Sequence, residues 1–211
     1  EGKTLSLLAV DGKLAGIITD GRLAVSAPEQ RLGPWVYRNG RLVEESAEAA
    51  LADFSATDVS IKGANAIDPM GNAGILVQGD AGGTIGAIWP TVAARGAHLI
   101  QPVSLERLIT SVIEASFKSG SRLFKYVMGA RVGLIPVVTS LVVTEIQALT
   151  VLTGVAASHF ASGGVGGSEG CVVLALEGSE DTVTRAYRLV ESIKGEPPVS
   201  APKLQPAVAV F

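Results

Sequence analysis

The stretch Thr57-Asp58-Val59-Ser60-Ile61-Lys62-Gly63-Ala64-Asn65-Ala66-Ile67-Asp68-Pro69 decides how the chain is read. Val59-Ser60-Ile61 is a short apolar and β-branched run, the pattern of a strand. It stops in a lysine and a glycine, then runs into turn-forming Asn65, Asp68 and Pro69. Ile75-Leu76-Val77 repeats the pattern and ends in Gly79-Asp80-Ala81-Gly82-Gly83-Thr84. A helical stretch follows to about Arg95, with a kink or restart expected at Pro90. Ala97 to Val103 is the next strand. A helix is expected from Leu105 to Lys118, with Ser104 as cap and Leu105, Leu108, Ile109, Val112 and Ile113 at helical spacing. Strands alternating with helices imply crossovers, and hence a parallel sheet.

Upstream, Asp11-Gly12, Asp20-Gly21 and Asn39-Gly40 read as two-residue hairpin turns, the last joining Trp35-Val36-Tyr37 to Leu42-Val43. Ser46 caps a short helix through Ala52. Downstream, Val132 to Val143 reads as strand, Glu145 to Leu152 as helix, Ala156 to Phe160 and Cys171 to Leu176 as strands, and Glu180 to Ile193 as a helix capped by Ser179. That order is a smaller α+β unit with helices on one face of a mixed sheet. Expected divisions are an α/β domain with a hairpin-rich start over 1–130, the small unit over 131–195, and an extended proline-spaced tail over 196–211.

Composition narrows the partners. Of 211 residues, 47% are hydrophobic and only 18% charged, against about 25% charged in typical globular chains. Either apolar surface in excess of what one subunit hides is covered in a homo-oligomer, a dimer foremost, or the composition reflects an alanine- and valine-rich core with short polar loops. A net charge of −3 with no basic stretch gives no footprint for nucleic acid. The longest apolar stretch, Val132 to Val155, is interrupted by Pro136, Glu145 and Gln147, so no membrane span is expected. One cysteine forms no intramolecular disulfide and fits a cytoplasmic setting; Cys171 itself is expected in the core. The chain begins at Glu1, and residues upstream of it are expected.

Three places carry candidate chemistry. Lys62, Asn65 and Asp68 stand at a strand end, where ligands of open α/β sheets bind, and could hold an anion and a hydroxyl. The alternative is a turn in which Asn65 and Asp68 bind their own backbone. Gly79, Asp80, Gly82, Gly83 and Thr84 form a glycine-rich entry to a helix, suited to an anion, or else to tight helix–sheet packing. Gly164, Gly166, Gly167, Ser168 and Glu169 lie in a segment with five glycines in nine residues (Ser162 to Gly170), a ligand loop or a wide hairpin turn. Lys62 and Asp80 are the candidate catalytic groups. His98 and His159 are too far apart in sequence for a metal pattern, and no metal or cofactor is expected.

From Asp58 onward the order of features resembles the ribose-5-phosphate isomerase A family, in the larger group of sugar-phosphate deaminases and CoA transferases. Asp58 to Pro69 is similar to the family's D-G-A-D-E-x-D-P strand end, Gln78 to Gly83 to its K-G-G-G-G turn, and Ile135-Pro136-Val137 to its L-P-V strand. The resemblance covers about two thirds of the chain. It implies a three-layer parallel-sheet α/β domain with a smaller ferredoxin-like α+β sandwich, and a ligand site at 62–84 for a sugar phosphate or a CoA/acyl-type molecule. The chain departs from the pattern at the reacting positions. Lys62 and Asn65 replace two aspartates, Gln78 replaces the turn's lysine, and no acid occurs between Asp80 and Glu106 to serve as base. The resemblance therefore implies the fold and the site, without ribose-5-phosphate isomerase activity. Two functions follow as expectations: an enzyme of this group working by another mechanism, with Lys62 as anion anchor, or a non-catalytic ligand-binding or scaffold oligomer.

Overall fold

The computed structural model describes residues 16–19, 21–25 and 34–195. The Asp11-Gly12 turn, Asp20 and the tail 196–211 lie outside them. The described chain is mixed α/β, with one parallel three-stranded sheet and several antiparallel ones.

Two hairpins come first. Gly16–Thr19 (β1) pairs antiparallel with Arg22–Val25 (β2), and Val36–Arg38 (β3) with Arg41–Val43 (β4). Between β3 and β4, Asn39 and Gly40 both take positive φ, 52° and 78°, as a type I′ turn requires. Helix α1, Ala47–Ala52, starts where the Ser46 hydroxyl accepts from the Ala49 N–H. Arg95 closes its far end, donating to the carbonyls of Leu51, Ala52 and Phe54 at 2.9 Å each.

The parallel sheet is built from Val59–Ile61 (β5), His98–Pro102 (β8) and Leu141–Val143 (β10), with β8 in the centre. A separate antiparallel sheet joins Ala66–Ile67 (β6), Ala73–Val77 (β7) and Gly133–Val137 (β9). The alternating strands and helices had implied that Ile75-Leu76-Val77 joins the parallel sheet; it pairs instead with β9, register Ile75 to Ile135. Helix α2, Gly83–Arg95, continues through Pro90 without a break and lays Ile85, Ile88 and Val92 on a core shared with both sheets, including Ile75, Leu99 and Val137. The other face of the parallel sheet leaves Val59, Ile61 and Leu141 exposed.

The expected helix from Leu105 to Lys118 is broken. Leu105–Arg107 is a 3-10 turn, and α3 spans only Val112–Phe117, capped by Ser111. Between them the chain lies beside β6: Ile109 N–H bonds to Ile67 O, and Leu108 bridges to Ile67. Tertiary pairing there overrides helical periodicity. The single strand expected over Val132 to Val143 is likewise two strands in two sheets, with residues 138–140 connecting them. Both follow the expected division at 131, yet β9 and β10 pair with strands that precede it.

The last unit is α4 (Glu145–Thr153), the antiparallel pair Ala156–Gly163 (β11) and Cys171–Glu177 (β12), and α5 (Glu180–Ile193). A capping box between Thr144 and Gln147 starts α4, and Gly154 ends it at φ 78°. Leu149, Val155 and Ala186 form its core against Leu174 and Leu176. Only one face of β11–β12 is covered. Cys171 is on the open face and exposed, against its expected core position, because β12 alternates Val172, Leu174 and Leu176 inward and Cys171, Val173 and Ala175 outward. Among the described residues, no helix is long and apolar enough to cross a membrane.

Candidate functional site

Lys62 follows β5 at the carboxyl end of the parallel sheet. Its backbone N–H still bonds to Ile100 O at 3.0 Å, so the sheet fixes its place. The side chain is half-buried, and its Nζ donates to Gly63 O at 3.3 Å. No carboxylate pairs with it among the described residues. Burial pushes the ammonium below the ordinary lysine value. Next to it in register on β8 is Gln101, fully buried, whose Oε1 accepts from the Ser140 hydroxyl. Gln101 Nε2 is buried with no acceptor among the described residues.

Asn65 and Asp68 are used by the backbone. Asn65 Oδ1 accepts from Leu76 N–H at 3.0 Å, tying the chain before β6 to β7. Asp68, 3% exposed, accepts from Met70 N–H, Asn72 N–H, Asn72 Nδ2 and Val112 N–H, each at 3.0 Å. Burial alone would raise its carboxyl, but the hydrogen bonds from Asn72, Val112 and Met70 outweigh it and hold the group below the usual aspartate value. These two side chains therefore build the turn and the start of α3.

The glycine-rich turn lines an open cleft of about 400 Å³. Gly79, Asp80 and Gly82 form one wall; Gly120, Ser121, Arg122 and Leu123, from the loop after α3, form another, with Val77, Gly133 and Ile135 as floor. Gly82 is the N-cap of α2 at φ 77°, and a Cβ there would sit 3.0 Å from Ile135 Cδ1, so both conformation and space call for glycine. Gly83 opens α2, and Thr84 is exposed in its first turn. Neither these two nor Lys62 lines the cleft. Arg122 Nη2 donates to Asp80 Oδ2 at 2.6 Å, with both side chains largely in solvent. The residues expected to share one site at 62–84 thus fall in two places, because β5 and β7 belong to different sheets.

The loop 164–169 is a wide hairpin turn between β11 and β12. Glu169 Oε2 accepts from Gly167 N–H at 2.9 Å, and backbone N–H groups of Glu169 and Gly167 lower its carboxyl pKa. A methyl group on Gly164 would overlap the Ser168 carbonyl. The loop's donors are thus turned on its own carboxylate. Before it, His159 Nε2 and Ser162 Oγ are 2.6 Å apart across a β-bulge. His98 is exposed on β8. Among the described residues, no group of three or more His, Cys, Asp and Glu side chains could hold a metal ion.

Comparison with protein-family models, with curated proteins and with solved structures returns no match for this chain. Three residues escaped the sequence reading: Arg122, Gln101 and Ser140. Arg122 had a signal in the run Gly120-Ser121-Arg122, a cation amid small residues. Gln101 had a fainter one, as an amide inside an otherwise apolar strand.

Proposed function

We propose that this protein binds an anionic small molecule, a sugar phosphate or a CoA/acyl-type ester, in the cleft between the Gly79–Gly83 turn and Arg122. The observation that carries this is the composition of the cleft: a glycine-rich backbone entering α2, a serine, and an arginine able to exchange Asp80 for a ligand oxygen. An exposed Arg–Asp pair contributes roughly 0 to 1 kcal/mol, so Arg122 gives up little when it turns to a ligand. The parallel sheet, with α2 on one face, supports assignment to the three-layer sugar-phosphate isomerase and CoA transferase type. Helices α4 and α5 packed on β11–β12 support a ferredoxin-like small unit. The setting we assign is cytoplasmic.

Ribose-5-phosphate isomerisation is not part of this reading. That reaction needs a base within hydrogen-bond reach of the reacting carbon. Among the described residues Asp80 is the one acid lining the cleft, and it stands in the turn before α2 and not on the helix face where the resemblance would place the base. A coupled assay should find no enzymatic turnover; turnover above about 1 per second that Asp80→Asn abolishes would make Asp80 the base.

The test of binding is a thermal-shift series with inorganic phosphate, sugar phosphates, nucleotides and CoA esters. A ligand at a hundred times its Kd adds about 2.7 kcal/mol, a rise of several degrees in Tm. One class should give that rise with the native chain and lose most of it with Arg122→Ala. No rise from any class would refute the reading.

A second reading has its own observation. The open face of β11–β12 exposes Phe160 at 78% and Val173 at 44%, on a sheet that has two strands among the described residues. This supports a homodimer formed through the small unit.

A further inference from the structure

The floor of the Arg122 cleft is set by strand register. Val77 pairs with Gly133, and Ile75 with Ile135, across β7 and β9. Side chains alternate along a strand, so Val77, Gly133 and Ile135 share the face opposite the buried Leu134. Ile75 on this face is buried in the core beside α2, whereas Val77 and Ile135 are only half-buried and line the cleft. Gly133 raises no side chain between them. A Cβ on it would meet Gly120 Cα and Val77 Cγ2 only at 3.5 and 3.8 Å, so there is room for hydrocarbon above it. Leu123 flanks this apolar trough with 62% of its surface exposed.

The walls offer little to an anion. The N–H of Gly82 bonds to Gly79 O at 2.9 Å, and those of Gly120 and Leu123 to Val132 O and Gly120 O at 3.1 Å each. These donors are already committed. Among the described residues, the lining side chains that can hold an anion are the Ser121 hydroxyl and the Arg122 guanidinium. Asp80 shares Arg122, but both side chains are largely in solvent, so the carboxylate is free to turn outward. One guanidinium then balances one negative charge. A carboxylate is a monoanion whose plane matches the guanidinium fork. A phosphate monoester carries close to two charges at neutral pH and leaves one uncompensated. A sugar would also lay its hydroxyls on Val77 and Ile135, side chains that give them no hydrogen bond.

We propose that the cleft takes a carboxylate with an unbranched apolar chain, its head on Arg122 and Ser121 and its chain along Val77, Gly133 and Ile135. This rests on the anion-site reading above and narrows it to the acyl type. Full burial of one methylene tightens binding about fourfold. An open cleft covers the chain from one side, and half that free energy is about twofold.

The test is a series of titrations of the native, nitrogen-15-labelled chain at pH 7.5. The ligands are acetate, butanoate, hexanoate and octanoate, with inorganic phosphate and glucose 6-phosphate in parallel. Amide shifts of Gly120 and Gly133 mark the cleft and give Kd. From butanoate to octanoate, Kd should fall about twofold per methylene, and octanoate should bind more tightly than glucose 6-phosphate. Arg122→Ala should weaken every carboxylate; octanoate held as tightly by that variant would be adsorption of the chain alone and overturns the proposal. Leu123→Ser, at an exposed position and shown folded by circular dichroism, should flatten the dependence on chain length. An unchanged slope there overturns the path given to the chain. A Kd independent of chain length, or glucose 6-phosphate bound more tightly than octanoate and lost with Arg122→Ala, overturns the acyl assignment and leaves the anion site standing. No shift at Gly120 or Gly133 with any of these anions removes both.

Discussion

Asp68 is buried with four hydrogen bonds to its carboxylate, and one of them, from Val112, reaches the first residue of a helix 44 positions away. Hydrogen bonds to a charged group stabilise by about 1.5 to 3 kcal/mol each. Asp68→Asn keeps the shape and removes the charge, so it should cost about 2 kcal/mol by urea unfolding at pH 7. The pH dependence follows from a folded pKa below the unfolded value of about 3.9. The stabilisation is full above about pH 5 and is lost as pH falls through the folded value. The gap between native and variant should therefore narrow below about pH 4; a gap constant from pH 7 to 3 would show that the charge contributes nothing. That Asn65 and Asp68 turn the chain was legible in their side chains, which bind local backbone. The burial of Gln101 against the Ser140 hydroxyl was not, because it arises only when β8 and β10 pair.

Helix α2 and the glycine turn before it were legible as an element to about Arg95, but the unbroken passage through Pro90 was not. Gly82→Ala tests the turn. A positive φ costs a non-glycine residue roughly 1 to 2 kcal/mol, and the new methyl would press on Ile135. The variant should lose about that much stability and weaken any anion held in the cleft, both read in one thermal-shift titration. Elements whose form depends on distant partners were misread. The 105–118 stretch has helical spacing throughout, yet Asp68 and Ile67 claim the N–H groups of Val112 and Ile109 and split it. The 132–143 stretch is mostly apolar, and the polar pair Thr139-Ser140 is the one local mark of the point where the chain changes sheets.

Over the whole molecule, the low charge content is reflected in what is left uncovered: Phe160 and Val173 on β11–β12, and Val59, Ile61 and Leu141 on the parallel sheet, a kind of sheet that ordinarily has both faces covered. Light scattering at micromolar concentration should give twice the 21.6 kDa chain mass. Phe160→Glu with Val173→Lys should return it to the monomer without loss of helical signal. A native monomer would dispose of the dimer.

The order of strands in the central sheet also sets a timetable. Its three members, β5, β8 and β10, are separated by intervening β6, β7, α2, α3 and β9, whereas β11 and β12 are consecutive. Closing long loops costs entropy before their contacts repay it, so such sheets assemble late. Trp89, on α2, donates its indole N–H to Thr139 in the crossing between β9 and β10, and so reports on the moment both sheets are joined. In stopped-flow refolding of a Trp35→Phe chain, its fluorescence should recover in a phase slower than the far-ultraviolet signal of α4 and α5. Throughout that interval the hydrophobic undersides of both sheets stand open, and this is the period in which a newly made chain most needs protection from its neighbours.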